Sequence, residues 1–223
     1  MRPESALGAG TKSLAERYAG RTVLAIGAHP DDLELAVGGT LARLRRGGAR
    51  VVMAIASVPG PNHRVRLHEA ERAAGILGCE LLVLTDGSRR IEDLKHHELV
   101  ALMDREVKEL RPAAIITHGA GEFHRDHVMV HEAAVASQRL FFFDFFTHHP
   151  NFCRPVPVPF HPRAYVDISD TIDIKMRAIE AHATQFASRG IATDIYRDIA
   201  RLNGRMVGVQ YAEGLDVGRM LLA

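Results

Sequence analysis

Cysteine is scarce in this chain. Cys79 and Cys153 are the only two in 223 residues, too few for a disulfide framework and in keeping with a reducing cytoplasm. An excess of one charge is missing as well: 28 basic side chains meet 27 acidic ones, for a net charge of +1. That argues against nucleic acid or an anionic membrane as a bulk electrostatic partner. No run approaches the roughly 20 apolar residues that cross a bilayer. The opening Met1-Arg2-Pro3-Glu4-Ser5-Ala6-Leu7-Gly8 has no apolar core of signal-peptide length. A cytoplasmic protein without a membrane span is expected. Internal repeats, low-complexity segments and breaks in composition are also lacking, so residues 1–223 are expected to form a single domain. No Gly-x-Gly-x-x-Gly follows the first strand, which leaves a non-catalytic nucleotide- or sugar-binding module without support.

What is present is an ordinary globular composition, 47% apolar and 25% charged, long enough for a sizeable α/β core. A polar lead-in over residues 1–20 includes a short helix at 13–18. Strands are predicted over about 22–28, 51–56, 80–84 and 113–117, each followed by a helix, over about 40–46, 64–77, 91–110 and 128–140. Asp86-Gly87-Ser88 reads as a turn. Four strand-then-helix units in succession predict a Rossmann-like, doubly wound, mostly parallel sheet with right-handed crossovers. Beyond residue 140 the pattern changes to an elaborated C-terminal third. It holds a proline-punctuated loop over 150–163, a strand over 164–168 and a helix over 171–185 with Asp170 as its N-cap.

Histidine is the unusual count, at 13. His29-Pro30-Asp31-Asp32 leaves the carboxyl end of the first strand, where ligands bind in open α/β sheets. Pro30 fixes its own φ and biases His29 toward an extended conformation. A second cluster, His118 to His127, leaves the fourth strand about 90 residues later. In the common strand order 3-2-1-4-5 the two loops face each other across one crevice. Histidine and carboxylate without cysteine suit a zinc-like site with an open position. Hydrolysis by a metal-bound water also needs a base. His29 and Asp32 are therefore expected as ligands and Asp31 as the base.

Ala28-His29-Pro30-Asp31-Asp32, Glu34, Gly38-Gly39-Thr40 and His124-Arg125-Asp126-His127 resemble the PIG-L/LmbE-like zinc-dependent N-acetylglucosamine deacetylases. Weaker matches are Arg66 to Glu69, Asp86-Gly87, Asp167-Ile168-Ser169-Asp170, Lys175, His182 with Gln185, and Tyr211-Ala212-Glu213-Gly214. The resemblance covers about 22–214. It implies Zn2+ held by His29, Asp32 and His127, with another divalent cation such as Fe2+ as the alternative. It further implies Asp31 taking a proton from the water, and His124 stabilising the oxyanion or protonating the leaving amine. Asp126 would orient a histidine. Arg66 is the implied substrate contact, because a guanidinium can bridge two hydroxyls or pair with an anion. Some relatives carry a tyrosine where Glu122 and Phe123 stand here. The expected activity is removal of an N-acetyl or other N-acyl group from a small-molecule amino sugar or glycoconjugate. The alternative is a metal-dependent amidase or esterase acting on a non-sugar natural-product intermediate.

Other residues carry two readings. His118 lines the pocket or merely closes its strand. His182 and Gln185 form a pocket wall or a solvent face. Arg66 and Glu69 are also spaced for a plain surface ion pair. His131 could share a helix face with His127, although a packed or surface role is the simpler expectation. Phe141–Phe146 holds five of the nine phenylalanines. It is expected to mark a homo-oligomer interface, with a packed helix end or an apolar pocket wall as the alternatives.

Overall fold

The computed structural model describes residues 13–85, 89–149 and 160–222. The short helix α1 (Leu14–Tyr18) is closed by a Ser13–Glu16 capping box. The chain then enters β1 (Thr22–Gly27), α2 (Asp32–Arg46), β2 (Arg50–Ile55), α3 (His63–Leu77) and β3 (Glu80–Val83). A 3-10 turn at Ile91–Asp93 precedes α4 (His96–Leu110), β4 (Ala114–His118), α5 (Arg125–Ser137) and β5 (Asp144–His148). The C-terminal third adds β6 (Ala164–Asp167), α6 (Ile172–Glu180), α7 (Asp194–Val207) and β7 (Ala212–Arg219). The strands form one sheet in the order β3-β2-β1-β4-β5-β7-β6. The first five are parallel, and β7 runs antiparallel to both neighbours.

The apolar run of β1 is explained by burial on both faces. Val23 and Ala25 point into one core with Leu33, Val37 and Leu41 of α2 and Ile179 of α6. Leu24 and Ile26 point into the other with Leu99 and Met103 of α4 and Val130 of α5. The covering helices therefore change faces between β1 and β4, and the loops after these two strands open onto the switch point. Two glycines serve special backbone needs. A Cβ at Gly39 would lie 2.7 Å from Ile168 Cδ1, so that close approach admits no side chain. Gly78 ends α3 at φ 74°, a left-handed cap that favours glycine.

Glu213 of β7 anchors the C-terminal third to α2. Its carboxylate accepts hydrogen bonds from the Gly39 N–H (3.0 Å), the Thr40 N–H (2.6 Å) and Lys175 Nζ (2.5 Å). Both charged side chains are buried.

The predicted doubly wound sheet and its 3-2-1-4-5 core are observed; several boundaries differ. The helix expected over 91–110 is split, because Leu94 and Lys95 are extended and the Glu98 carboxylate caps a fresh start on the Lys95 N–H. Helix α5 begins earlier than predicted, because His124 Nδ1 accepts the Asp126 N–H and caps it. Thr171, not Asp170, is the N-cap of α6; the Asp170 carboxylate is drawn away by Arg43. Helix α6 stops at Glu180, and His182 and Thr184 turn inward to Glu34 and Glu69. The sequence pattern singled out no element for α7, β5 or β7.

The second half of the phenylalanine run, from Asp144 to Phe146, opens β5 rather than ending a helix. Phe143, Phe145 and Phe146 are buried within the chain, and Phe142 alone is well exposed, with Arg219 over its ring. A monomer thus absorbs most of these rings, and their number no longer argues for an interface. No helix among the described residues is long and apolar enough to cross a membrane. The Asp86-Gly87-Ser88 turn, most of the 150–163 loop and the 1–12 lead-in lie outside the described residues.

Candidate active site

Adjacent pairing of β1 and β4, with Ile26 opposite Thr117, puts the two histidine loops side by side. They are also tied directly: the Ala28 N–H donates to His118 Nε2 at 2.9 Å, and His29 Nε2 lies 2.9 Å from Asp126 Oδ2. Asp31 sits at the tip of the first loop with φ 94°, a conformation costly for a residue with a Cβ. It is the N-cap of α2, yet its side chain makes no capping hydrogen bond. Asp32, one residue on, instead accepts the His29 N–H at 2.8 Å. The strained backbone therefore commits Asp32 to the loop and leaves the Asp31 carboxylate without a hydrogen-bonding role among the described residues.

His29, Asp32 and His127 each offer a donor atom, all within 4.8 Å of one another. His127 Nε2 is 3.4 Å from Asp32 Oδ1, and His29 Nδ1 is 3.8 Å from Asp32 Oδ2. These separations are too long for good hydrogen bonds. The shorter is close to, and the longer somewhat beyond, the roughly 3.3 Å between ligands of a tetrahedral ion with bonds of about 2.0–2.1 Å. Two imidazoles and one carboxylate are a donor set for a borderline divalent cation, so the residues fit a metal. The other nitrogen of His29 is held by Asp126, the carboxylate–histidine arrangement that orients metal-binding imidazoles.

The charges are strongly coupled. Burial opposes ionisation of Asp32, but the facing His127 and His118 outweigh it and hold that carboxyl well below its usual range. Burial also disfavours a proton on His127, yet Asp32 and Glu122 raise it to about 10. A cation would compete for that position. Burial and then the neighbouring Asp32 charge push the Asp31 carboxyl up to about 7. Burial, followed by His127 and His29, lowers His124. Because its Nδ1 accepts the Asp126 N–H at 3.2 Å, neutral His124 carries its proton on Nε2.

The structure separates the remaining predicted residues. Arg66 reaches the first loop, with Nη2 3.5 Å from the Pro30 carbonyl. Its suggested ion-pair partner Glu69 is instead bound to the Thr184 N–H and hydroxyl. His118 is fully buried, with its Nε2 3.4 Å from Asp32 Oδ2. His182 is also fully buried, its Nε2 3.0 Å from Glu34 Oε1, so the solvent face does not describe it. His131 Nδ1 is bound to the His118 carbonyl at 2.8 Å, which makes it structural. Two residues at the centre, His148 and His149, escaped the sequence reading, and a third, Glu122, was noted only where some relatives carry a tyrosine. Glu122 and His149 approach each other to 3.5 Å. His148 is fully buried with its ring against His118, and burial, reinforced by His118, keeps it well below the usual histidine range. A signal for them existed: a His-His pair ends the strand that pairs with β4.

An α/β sheet with a histidine–carboxylate centre at its switch point defines a class of candidate metal-dependent hydrolases. Residues 24–137 match the family described as PIG-L: GlcNAc-PI de-N-acetylase, and the chain belongs to that family of hydrolytic N-deacetylases. A diacetylchitobiose deacetylase of Thermococcus kodakarensis is 28% identical over 229 aligned residues, covering 87% of this chain and 82% of that protein. Among solved structures, the conserved protein TT1542 of Thermus thermophilus superposes with a TM-score of 0.76 at 26% identity, over 91% of this chain and 97% of the other. The 4-carboxy-2-hydroxymuconate hydratase GalB of Pseudomonas putida reaches 0.75 at 20% identity, covering 91% of this chain and 98% of its own. That last likeness is one of fold alone.

Proposed function

We propose that this N-deacetylase is a cytoplasmic, zinc-dependent enzyme that removes an acetyl group from the nitrogen of a small amino sugar or glycoconjugate. The observation that carries the reading is the pairing of a three-donor cluster, His29, Asp32 and His127, with an uncommitted, backbone-strained carboxylate next to it. A divalent cation held by these three residues would polarise the amide carbonyl and acidify a water. Asp31, whose carboxyl burial and the Asp32 charge push up from the usual carboxylate range, takes a proton from the water as the water oxygen adds to the amide carbonyl carbon. His124, neutral and protonated on Nε2, donates to the developing oxyanion. The proton held by Asp31 then passes to the amine nitrogen as the C–N bond breaks, giving acetate and a free amine. Asp126 fixes His29. Arg66, whose Nη2 is 3.5 Å from the Pro30 carbonyl, would bind a sugar hydroxyl or an anionic group.

Acetate release should be assayed over N-acetylglucosamine, N,N′-diacetylchitobiose and glycosides of N-acetylglucosamine. Simple acetate esters and acetanilides form the second arm. Turnover of at least one acetylated sugar, dependent on added zinc, is expected. Turnover confined to the esters or acetanilides would replace this reading with the non-sugar amidase or esterase.

A further inference from the structure

His118 and His127 are stacked, with ring centroids 4.0 Å apart and planes 15° from parallel. A carboxylate lies along each edge of the stack. On the Nε2 edge, Asp32 Oδ2 is 3.4 Å from His118 and Oδ1 is 3.4 Å from His127. On the Nδ1 edge, Glu122 Oε1 is 3.9 Å from His118 and Oε2 is 3.4 Å from His127. All four atoms of that second edge are buried and make no conventional hydrogen bond. Leaving each of them unpaired in the interior is costly.

Two readings could relieve that cost: a second cation among His118, Glu122 and His127, or protons shared within the group. The tautomers decide between them. His118 Nε2 already accepts the Ala28 N–H at 2.9 Å, so a neutral His118 ring carries its proton on Nδ1. Ligation of a cation through His127 Nε2 likewise leaves the proton of His127 on Nδ1. Neither Nδ1 has a lone pair to give, and both face the same carboxylate. A second cation would need two imidazolates.

We propose that Glu122 is the positioning residue of the metal centre, one buried carboxylate that the Nδ1 atoms of both His127 (3.4 Å) and His118 (3.9 Å) face, orienting the two rings by charge across distances longer than a good hydrogen bond. It turns His127 Nε2 toward Asp32. Through His118 it also keeps an acceptor on the Ala28 N–H, the peptide just before His29. One buried side chain thereby sets both loops of the centre. The inference rests on the metal reading of His29, Asp32 and His127. It concerns orientation, with no contact to substrate.

The test is zinc stoichiometry and affinity, by chelator competition, for the intact protein and for Glu122→Gln and Glu122→Asp. Cobalt spectra report the ligand geometry. The intact protein should bind one ion. Glu122→Gln should still fold and bind one ion, about 10–100-fold more weakly, with a changed cobalt spectrum. Glu122→Asp, which keeps the charge, should recover part of the affinity. Unchanged affinity and spectrum in Glu122→Gln would overturn the positioning role while leaving the metal reading intact. Two ions in the intact protein and one in the variant would establish the second cation instead. No ion in the intact protein would remove the underlying metal reading. If Glu122→Gln does not fold, the comparison rests on Glu122→Asp, in which unchanged affinity and spectrum would overturn the role.

Discussion

Asp31→Asn should make the protein more stable while making it inactive. The wild-type carboxyl is raised from an ordinary 3.8 to about 7 by burial and by Asp32. Three units at 1.36 kcal/mol each set a ceiling of about 4 kcal/mol on the cost of its charge. The sign follows from linkage. Below about pH 4 the group is protonated in both states and costs nothing. Between about pH 4 and pH 7 only the unfolded chain ionises freely, so stability falls as pH rises. Above about pH 7 the full cost is present. Asparagine has nothing to ionise there and tolerates φ 94° better than most residues. Taking half the ceiling, the variant should melt about 4–8 °C above wild type at pH 8, at about 2–4 °C per kcal/mol for a chain of this size. The difference should shrink toward zero at pH 4. Thermal melts with a chelator present would show it, since a bound cation stabilises the ionised form and masks the effect. Turnover should fall by about 100- to 10,000-fold. An Asn variant that melts at or below wild type at pH 8, or a gap that ignores pH, would refute the reasoning.

Two further outcomes concern the rest of the fold. The Cys79 thiol is pushed up to about 12, chiefly by burial. Its alkylation by iodoacetamide at pH 8 should therefore run at least about a hundredfold slower than that of a free thiol, and a rate near that of glutathione would contradict the packing around it. Glu213→Ala would leave Lys175 charged and buried beside α2 and remove the carboxylate that the Gly39 and Thr40 N–H groups donate to. Urea unfolding should show a loss of about 3–5 kcal/mol; a loss under 1 kcal/mol would mean the pair is dispensable.

The core was legible because its strands are buried on both faces. Val23-Leu24-Ala25-Ile26 and Ala114-Ile115-Ile116 can be read as strands without knowing their partners. Their order then follows from handedness and the switch-point rule, and with it the meeting of His29 and His127. What could not be read is what depends on contacts distant in sequence. β5 hides in a run of phenylalanines whose apolarity fits helix, strand or interface alike. β7 carries Glu213, Gly214, Asp216 and Gly218, which break any alternation, because Glu213 is turned in to satisfy α2. His118 and His182 could not be placed by position, because their partners Ala28 and Glu34 are distant in the chain. Glu122 was visible only as the residue at a tyrosine position; its partners come from two other strand ends and a helix.

The central claim is that two separate loops hold one divalent ion beside a carboxylate that does not ligate it. Elemental analysis after dialysis against micromolar zinc tests it most directly, on wild type, Asp31→Asn and His127→Ala. One ion per chain in wild type and in Asp31→Asn, with none retained by His127→Ala, is the predicted result. Zinc kept by His127→Ala, or lost from Asp31→Asn, would contradict it.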